Sequence, residues 1–138
     1  MGRIVIYVLD ACAIVAYLNG EPGGDVVEKA LLEQNSECLA HAINLCEVYY
    51  LFYRAGGEAA SAKALADLSD VGVGERNDFD SAFWQQAGVL KAVHRKVSLA
   101  DCCAITLTQR VVGTLLTSDR HELDPLAALG VCSISFIR

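Results

Sequence analysis

The 138-residue chain has little proline, no long apolar run and fewer basic than acidic residues. Only 2 prolines against 54% hydrophobic residues exclude disorder as the main state. The longest apolar runs, such as Ile4–Leu9, fall far short of the roughly 20 residues that a spanning helix needs, so no membrane association is expected. The first residues, Met-Gly-Arg, lead straight into a strand-like run with no basic, apolar and cleavable segments in series. That predicts a cytoplasmic protein without a secretory leader. The 6 cysteines (Cys12, Cys38, Cys46, Cys102, Cys103, Cys132) form no C-x-x-C pair, so we read them as small apolar residues in a reducing compartment. The excess of 17 Asp+Glu over 11 Lys+Arg argues against a broad basic face for gripping nucleic acid. It leaves open a nucleic-acid enzyme whose acids are concentrated in a metal site.

The length fits one domain, residues 1–138, with a core large enough to need no metal or disulfide for stability. Turn signals are short: Asn19–Gly24, Ala55–Gly57, Val71–Gly74 and Leu129-Gly130. Between them, strands are predicted at Ile4–Leu9, Glu37–His41, Val71–Glu75, Thr114–Thr117 and Val131–Ile137. Helices are predicted at Ala11–Leu18, Asp25–Gln34, Ile43–Ala55, Ala59–Leu68, within Asp78–Val97, and at Ser98–Gln109. The β-branched run before Asp10 reads as a strand buried on both faces. Strands alternating with helices indicate an α/β fold with a parallel sheet, whose ligands bind beyond the carboxyl ends of the strands.

Four carboxylates lie where the pattern should exclude them. Asp10 and Asp119 end apolar strands; each would serve equally as a helix cap. Glu47 sits in Ile43–Phe52, a helix apolar nearly all round, with no cation three or four residues away. Asp101 follows Ser98 in a capping-box-like start and precedes Cys102-Cys103-Ala104-Ile105. A parallel sheet brings such positions to one edge. Two bare carboxylates 4 Å apart repel by about 4 kcal/mol at an effective dielectric of 20, so four together must share protons or hold a cation. An oxygen-only donor set suits Mg²⁺ or Mn²⁺, and the chemistry implied is hydrolysis of a phosphate ester.

The segments Val8-Leu9-Asp10-Ala11-Cys12-Ala13, Asn44-Leu45-Cys46-Glu47-Val48-Tyr49-Tyr50, Leu99-Ala100-Asp101-Cys102-Cys103-Ala104 and Leu116-Thr117-Ser118-Asp119-Arg120 resemble, in order and spacing, those of PIN-domain proteins. The likeness is specifically to VapC-type toxin ribonucleases of VapBC toxin–antitoxin pairs. It implies a three-layer fold, a short central parallel sheet flanked by helices. It also implies a metal-binding and catalytic quartet of Asp10, Glu47, Asp101 and Asp119, and Mg²⁺- or Mn²⁺-dependent cleavage of RNA, with tRNA or ribosomal RNA as targets. A homodimer and an inhibitory VapB-like antitoxin are implied as partners. One position departs from the family pattern: two residues after the first acid, where Ser, Thr or Asn is usual, stands Cys12, a poorer hydrogen-bonding group.

Other residues carry weaker signals. Glu122 is a possible fifth acid, though its position equally suits a helix start. Asn44 lies one turn before Glu47 and would orient its carboxylate or cap the helix. Ser98 and Ser118 read as caps or supports, not nucleophiles. His41, His94 and His121 are the only histidines for a metal-free mechanism through the 2′-hydroxyl, and all three read as structural or surface groups. Arg120 is the best placed candidate for a phosphate contact. Lys91, Arg95 and Lys96 cluster at one helix end, and Tyr49, Tyr50, Phe52 and Tyr53 form either a wide core face or a groove for an antitoxin helix. The alternative to a nuclease is a PIN-like binding module that has lost catalysis.

Overall fold

The computed structural model describes residues 3–138. Five parallel strands, β1 (Val5–Leu9), β2 (Ser36–His41), β3 (Gly74–Arg76), β4 (Thr114–Thr117) and β5 (Ser133–Phe136), form one sheet in the order β3-β2-β1-β4-β5. Six helices connect them among the described residues: α1 (Ala11–Leu18), α2 (Gly24–Leu32), α3 (Ala42–Asp70), α4 (Ser81–Val93), α5 (Leu99–Val111) and α6 (Arg120–Ala128).

The central strands show why the sheet is covered on both sides. Successive residues of a strand point to opposite faces. Val8 and Leu115 pack with Phe83, Leu90, Ile105 and Leu123, from α4, α5 and α6. Their neighbours Leu9 and Leu116 pack with Ile14, Val27, Val48 and Leu68, from α1, α2 and α3. The result is the expected three layers, with β1 and β4 apolar on both faces as their sequences require.

Strand order fixes where a site can form. The chain leaves β1 toward β2 and β3, then returns to place β4 on the other side of β1. The connections following β1 and β4 therefore diverge, opening a crevice at the carboxyl ends of these two strands. Asp10 and Asp119 stand at that crevice. The turn into β4 is tight, because a Cβ on Gly113 would lie 2.7 Å from the Ile6 carbonyl oxygen.

Several boundaries differ from those predicted. The two helices expected at Ile43–Ala55 and Ala59–Leu68 are both present, as the two halves of α3, separated by non-helical backbone at Gly56 and Gly57, the latter at φ 75°. Gly57 tolerates that left-handed φ for want of a Cβ. The predicted Asp78–Val97 helix starts only at Ser81, because Asp78 and Asp80 are engaged elsewhere. Asp78 accepts from Arg76 (Nε–Oδ1 2.8 Å) and from Arg110 (3.0 Å), and Asp80 accepts from Arg110 (2.6 Å). These ion pairs hold the Asp78 carboxyl well below the usual range and tie the β3–α4 connection to α5. The third and fifth strands are shorter than Val71–Glu75 and Val131–Ile137. Of the two readings of the aromatic stripe on α3, a wide core face is not met: Tyr49, Tyr50 and Tyr53 are 39%, 41% and 53% exposed. No helix among the described residues is long and apolar enough to cross a membrane.

Candidate active site

Asp10 follows β1 and is 1% exposed. Its Oδ1 accepts from the Ala13 backbone N–H (2.9 Å) and from the Cys12 thiol (3.0 Å), so it caps α1. Its Oδ2 is buried and has no partner. The cap and the functional reading are therefore compatible: one oxygen is fixed by the helix start and the other is left over. Asp119 repeats the arrangement after β4. Its Oδ1 accepts from the Glu122 N–H (3.1 Å), capping α6, and its own N–H donates to Thr117 Oγ1 (3.0 Å).

The other acids arrive on helices. Ser98 caps α5 by accepting from the Asp101 N–H (3.1 Å), which places Asp101 in the first turn. Glu47 stands in the second turn of α3, half-buried. Asn44, fully buried one turn earlier, donates through Nδ2 to the Ala100 carbonyl at 3.4 Å, and its Oδ1 has no partner. Instead of capping its helix, Asn44 bridges the two helices that carry Glu47 and Asp101.

All four predicted acids line one open cleft of ≈ 400 Å³, together with Cys12, Ser98, Ser118 and Glu122. Glu122, whose position suited either a fifth acid or a helix-start charge, joins them. In the structure, carboxylate oxygens of Asp101, Asp119 and Glu122 all lie within 4.8 Å of one another. The signal that decides between the two readings is the Asp119-x-x-Glu122 spacing, which turns both residues to one side of the first turn of α6.

The cleft lining contains five acids and no Lys, Arg or His. Uncompensated charge shows in the acidities. Burial, then the charges of Asp10, Asp119 and Glu122, push the Asp101 carboxyl up to about 7. Burial raises Asp10, and the Asp119 charge adds to it. Burial and the Asp10 charge raise Glu47. The Cys12 thiol is pushed up to about 11, first by burial and then by the Asp10 charge. It therefore sits here as a neutral weak donor, touching Asp10 Oδ1 and lying 3.4 Å from both Thr117 Oγ1 and the Ser118 N–H.

The donor set fits a divalent cation on two grounds. The partnerless Oδ2 of Asp10 is costly to bury without a ligand, and clustered carboxylate oxygens match the hard-ion preference of Mg²⁺ and Mn²⁺. Asp101, Asp119 and Glu122 bring their oxygens close enough together to share such an ion, and Asp10 and Glu47 line the same cleft.

The basic and imidazole candidates go elsewhere. Arg120 points away from the acids: its Nε donates to the Arg138 carbonyl (2.8 Å), its guanidinium lies over the Phe136 ring at 4.5 Å, and it pairs with Asp124 at 3.7 Å. His41 is buried, stacked on Phe83 at 5.1 Å, with Nδ1 accepting from the Ile43 N–H and Nε2 against the Asp78 carbonyl. His94 and His121 line a neighbouring pocket, not the acid cleft.

No curated protein matches this sequence. Solved structures share its fold at low identity. VapBC2 from Rickettsia felis, bound to a DNA fragment from its promoter, is 18% identical, with 96% of this chain and 98% of that chain covered and a TM-score of 0.73. VapBC-1 from nontypeable Haemophilus influenzae is 15% identical over 96% of this chain and 98% of that one, with a TM-score of 0.72. VapC20 of Mycobacterium tuberculosis, described as a toxin cleaving the sarcin-ricin loop, is 14% identical over 79% of this chain and 86% of that one, at 0.64. The PIN domain family model matches residues 7–128. With the acids converging at the carboxyl ends of β1 and β4, and the family model covering most of the chain, the protein belongs to the PIN-domain family.

Proposed function

We propose that this protein is a Mg²⁺- or Mn²⁺-dependent endoribonuclease and the toxin of a VapBC-like toxin–antitoxin pair. The observation that carries the reading is the cleft of five acids without a cation, in which buried Asp10 keeps one oxygen unpartnered. A divalent ion held there would lower the pKa of a bound water, making it a nucleophile toward phosphorus, and would offset charge on the phosphate oxygens.

The chain's own residues prepare the rest. Asp10 and Asp119 are fixed by the helices they cap, so their free oxygens hold position without side-chain freedom to lose. Asp101 and Asp10 would ligate the ion directly, while Glu47, Asp119 and Glu122 would complete the shell directly or through water. Asn44 keeps α3 and α5 at a fixed separation and so sets the distance from Glu47 to Asp101. The Cys12 thiol touches Asp10 but is held protonated by burial and the Asp10 charge, and Ser98 is engaged as the cap of α5, which favours attack by water over a covalent intermediate. The absence of histidine from the lining argues against a 2′-hydroxyl mechanism. Products should carry 5′-phosphate and 3′-hydroxyl ends.

Structural likeness to VapBC assemblies supports a VapB-like antitoxin as partner; cytoplasmic action as a single domain and a homodimer belong to the same proposal. The tyrosines exposed on α3 are the surface we assign to these protein contacts. Ribosomal RNA or tRNA is the proposed target class.

The test is cleavage of total RNA by the purified chain with Mg²⁺, with Mn²⁺ and with chelator, for wild type and Asp10→Asn. Metal-dependent cleavage leaving 3′-hydroxyl ends and lost in the variant supports the reading. Cleavage that survives chelator, or equal activity in the variant, refutes it. A wild type that binds RNA but cuts none under any condition leaves only a non-catalytic binding module.

A further inference from the structure

The acid cleft poses a problem for its own substrate. An RNA strand brings one negative charge per phosphate, yet no cation lines the cleft. Phosphate contacts supply much of the affinity of nucleic-acid binding, so they must come from beside it.

Five of the basic residues are paired with acids among the described residues: Lys63 with Asp67, Arg76 with Asp78, Arg110 with Asp78 and Asp80, Arg120 with Asp124, and Arg138 with Glu21. The others are Arg3, Lys29, Arg54, Lys91, Arg95 and Lys96. Three of these six fall in residues 91–96, at the end of α4 and just before the helix that carries Asp101.

Arg95 and Lys96 line a pocket of ≈ 530 Å³ with His94 and His121, over an apolar floor that includes Pro125 and Leu126. Glu122 lines both this pocket and the acid cleft, so the two adjoin. The volume falls within the roughly 300–1,000 Å³ of small-ligand clefts. The loop that forms one wall is also held in shape. Lys91 Nζ donates to the carbonyls of Arg95 (2.9 Å) and Val97 (2.8 Å), the Val97 N–H donates to the His94 carbonyl (2.9 Å), and the Val97 side chain is 2% exposed. Lys91 thus has a structural task, and it leaves Arg95 and Lys96 presented on a braced turn.

We propose that this pocket is the subsite for an RNA nucleotide next to the scissile phosphate. Arg95 and Lys96 contact its backbone, and the rings of His94 and His121 with Pro125 receive its base or ribose. Flat imidazoles and an apolar floor suit an unstacked base from single-stranded RNA, while guanidinium and ammonium groups suit its phosphates. The inference rests on the ribonuclease reading, and it assigns substrate grip to the α4–α5 turn, not to Arg120.

The test is binding of fluorescein-labelled decauridine, followed by anisotropy between 50 and 200 mM salt with Ca²⁺ in place of Mg²⁺. R95Q/K96Q should bind about tenfold more weakly near 0.15 M salt, and its log–log salt slope should be shallower by about 1.4, the value for two lost single-strand phosphate contacts. H94A/H121A should weaken binding with the slope unchanged. R3Q/K29Q, ahead of β1 and on α2, outside the lining of both pockets, should match wild type. An R95Q/K96Q slope equal to wild type, an equal loss in R3Q/K29Q, or no wild-type binding at 50 mM salt overturns the proposal, whatever the variants do to a protein partner. Calorimetric titration with Mn²⁺ separates the two readings. R95Q/K96Q should take up Mn²⁺ as wild type does. A wild type that takes up no Mn²⁺ and cuts no RNA fails as a nuclease, while the slope difference still decides the subsite.

Discussion

Crowding acids without a counter-ion has a thermodynamic consequence that Asp101 makes measurable. In the unfolded chain its carboxyl titrates near the ordinary 3.8; in the folded protein it keeps its proton up to about 7. Between those values the folded state binds the extra proton. The associated stability is therefore complete below about pH 4 and is lost as pH rises through 7. From pH 5.5 to pH 8 the loss from Asp101 alone is about 2 kcal/mol, or about 8 °C in Tm for a chain of this size. Asp10 and Glu47 are raised in the same direction and add to it. Asp78 acts oppositely, since its ion pairs contribute stability lost as pH falls below the usual carboxylate range. A lower limit of pH 5.5 keeps that transition out of the window. The assay is thermal unfolding at the two pH values for wild type and Asp101→Asn. Wild type should melt lower at pH 8, the variant should show a smaller drop, and at pH 8 the variant should be the more stable protein. Mn²⁺ at pH 8 should raise the wild-type Tm and leave the variant's much less changed. A wild type as stable at pH 8 as at 5.5, or a variant with the same pH profile, would refute the reasoning.

Further outcomes follow from other positions. Asp10→Asn should retain its cap on α1 through the amide oxygen and fold, yet lose RNA cleavage by about 100-fold or more, as measured by initial rates with Mn²⁺. Cys12→Ser replaces a weak thiol donor to Asp10 with a stronger one, so Mn²⁺ affinity by calorimetry should rise; a several-fold fall would show the sulfur acting as a ligand itself. Asn44→Ala removes the bridge from α3 to Ala100 and should cost about 1–3 kcal/mol in urea unfolding, with weaker Mn²⁺ binding than wild type. Gly113→Ala would press a Cβ against the Ile6 backbone at 2.7 Å, and should lower stability by about 1–3 kcal/mol with no change in Mn²⁺ affinity.

Much of this site was legible in sequence because its residues break local rules. A carboxylate ending an apolar strand, or standing in an apolar helix, is conspicuous, and the parallel-sheet pattern says where such residues gather. Asp10, Glu47, Asp101 and Asp119 were found on that basis, and the structure brings all four to one cleft. Glu122 obeys local rules, since an acid in the first turn of a helix is expected anyway, and its place in the cluster comes only from the geometry of α6. Arg120 misled for the opposite reason. Its neighbour Asp119 faces the cleft, but the side chain turns back onto Phe136 and the end of β5, a contact 16 residues away that no local pattern encodes. The β3–α4 connection was read as helix because Phe79, Phe83 and Ala87 recur at helical spacing. Arg76 and Arg110, from β3 and α5, instead claim Asp78 and Asp80 and delay the helix to Ser81.

The most direct measurement is anomalous scattering from crystals grown with Mn²⁺. The account predicts a peak in the cleft bounded by Asp10, Asp101 and Asp119, with an oxygen of Asp10 in its coordination shell. Mn²⁺ found only elsewhere, or an Arg or Lys side chain occupying that cleft in its stead, would contradict it.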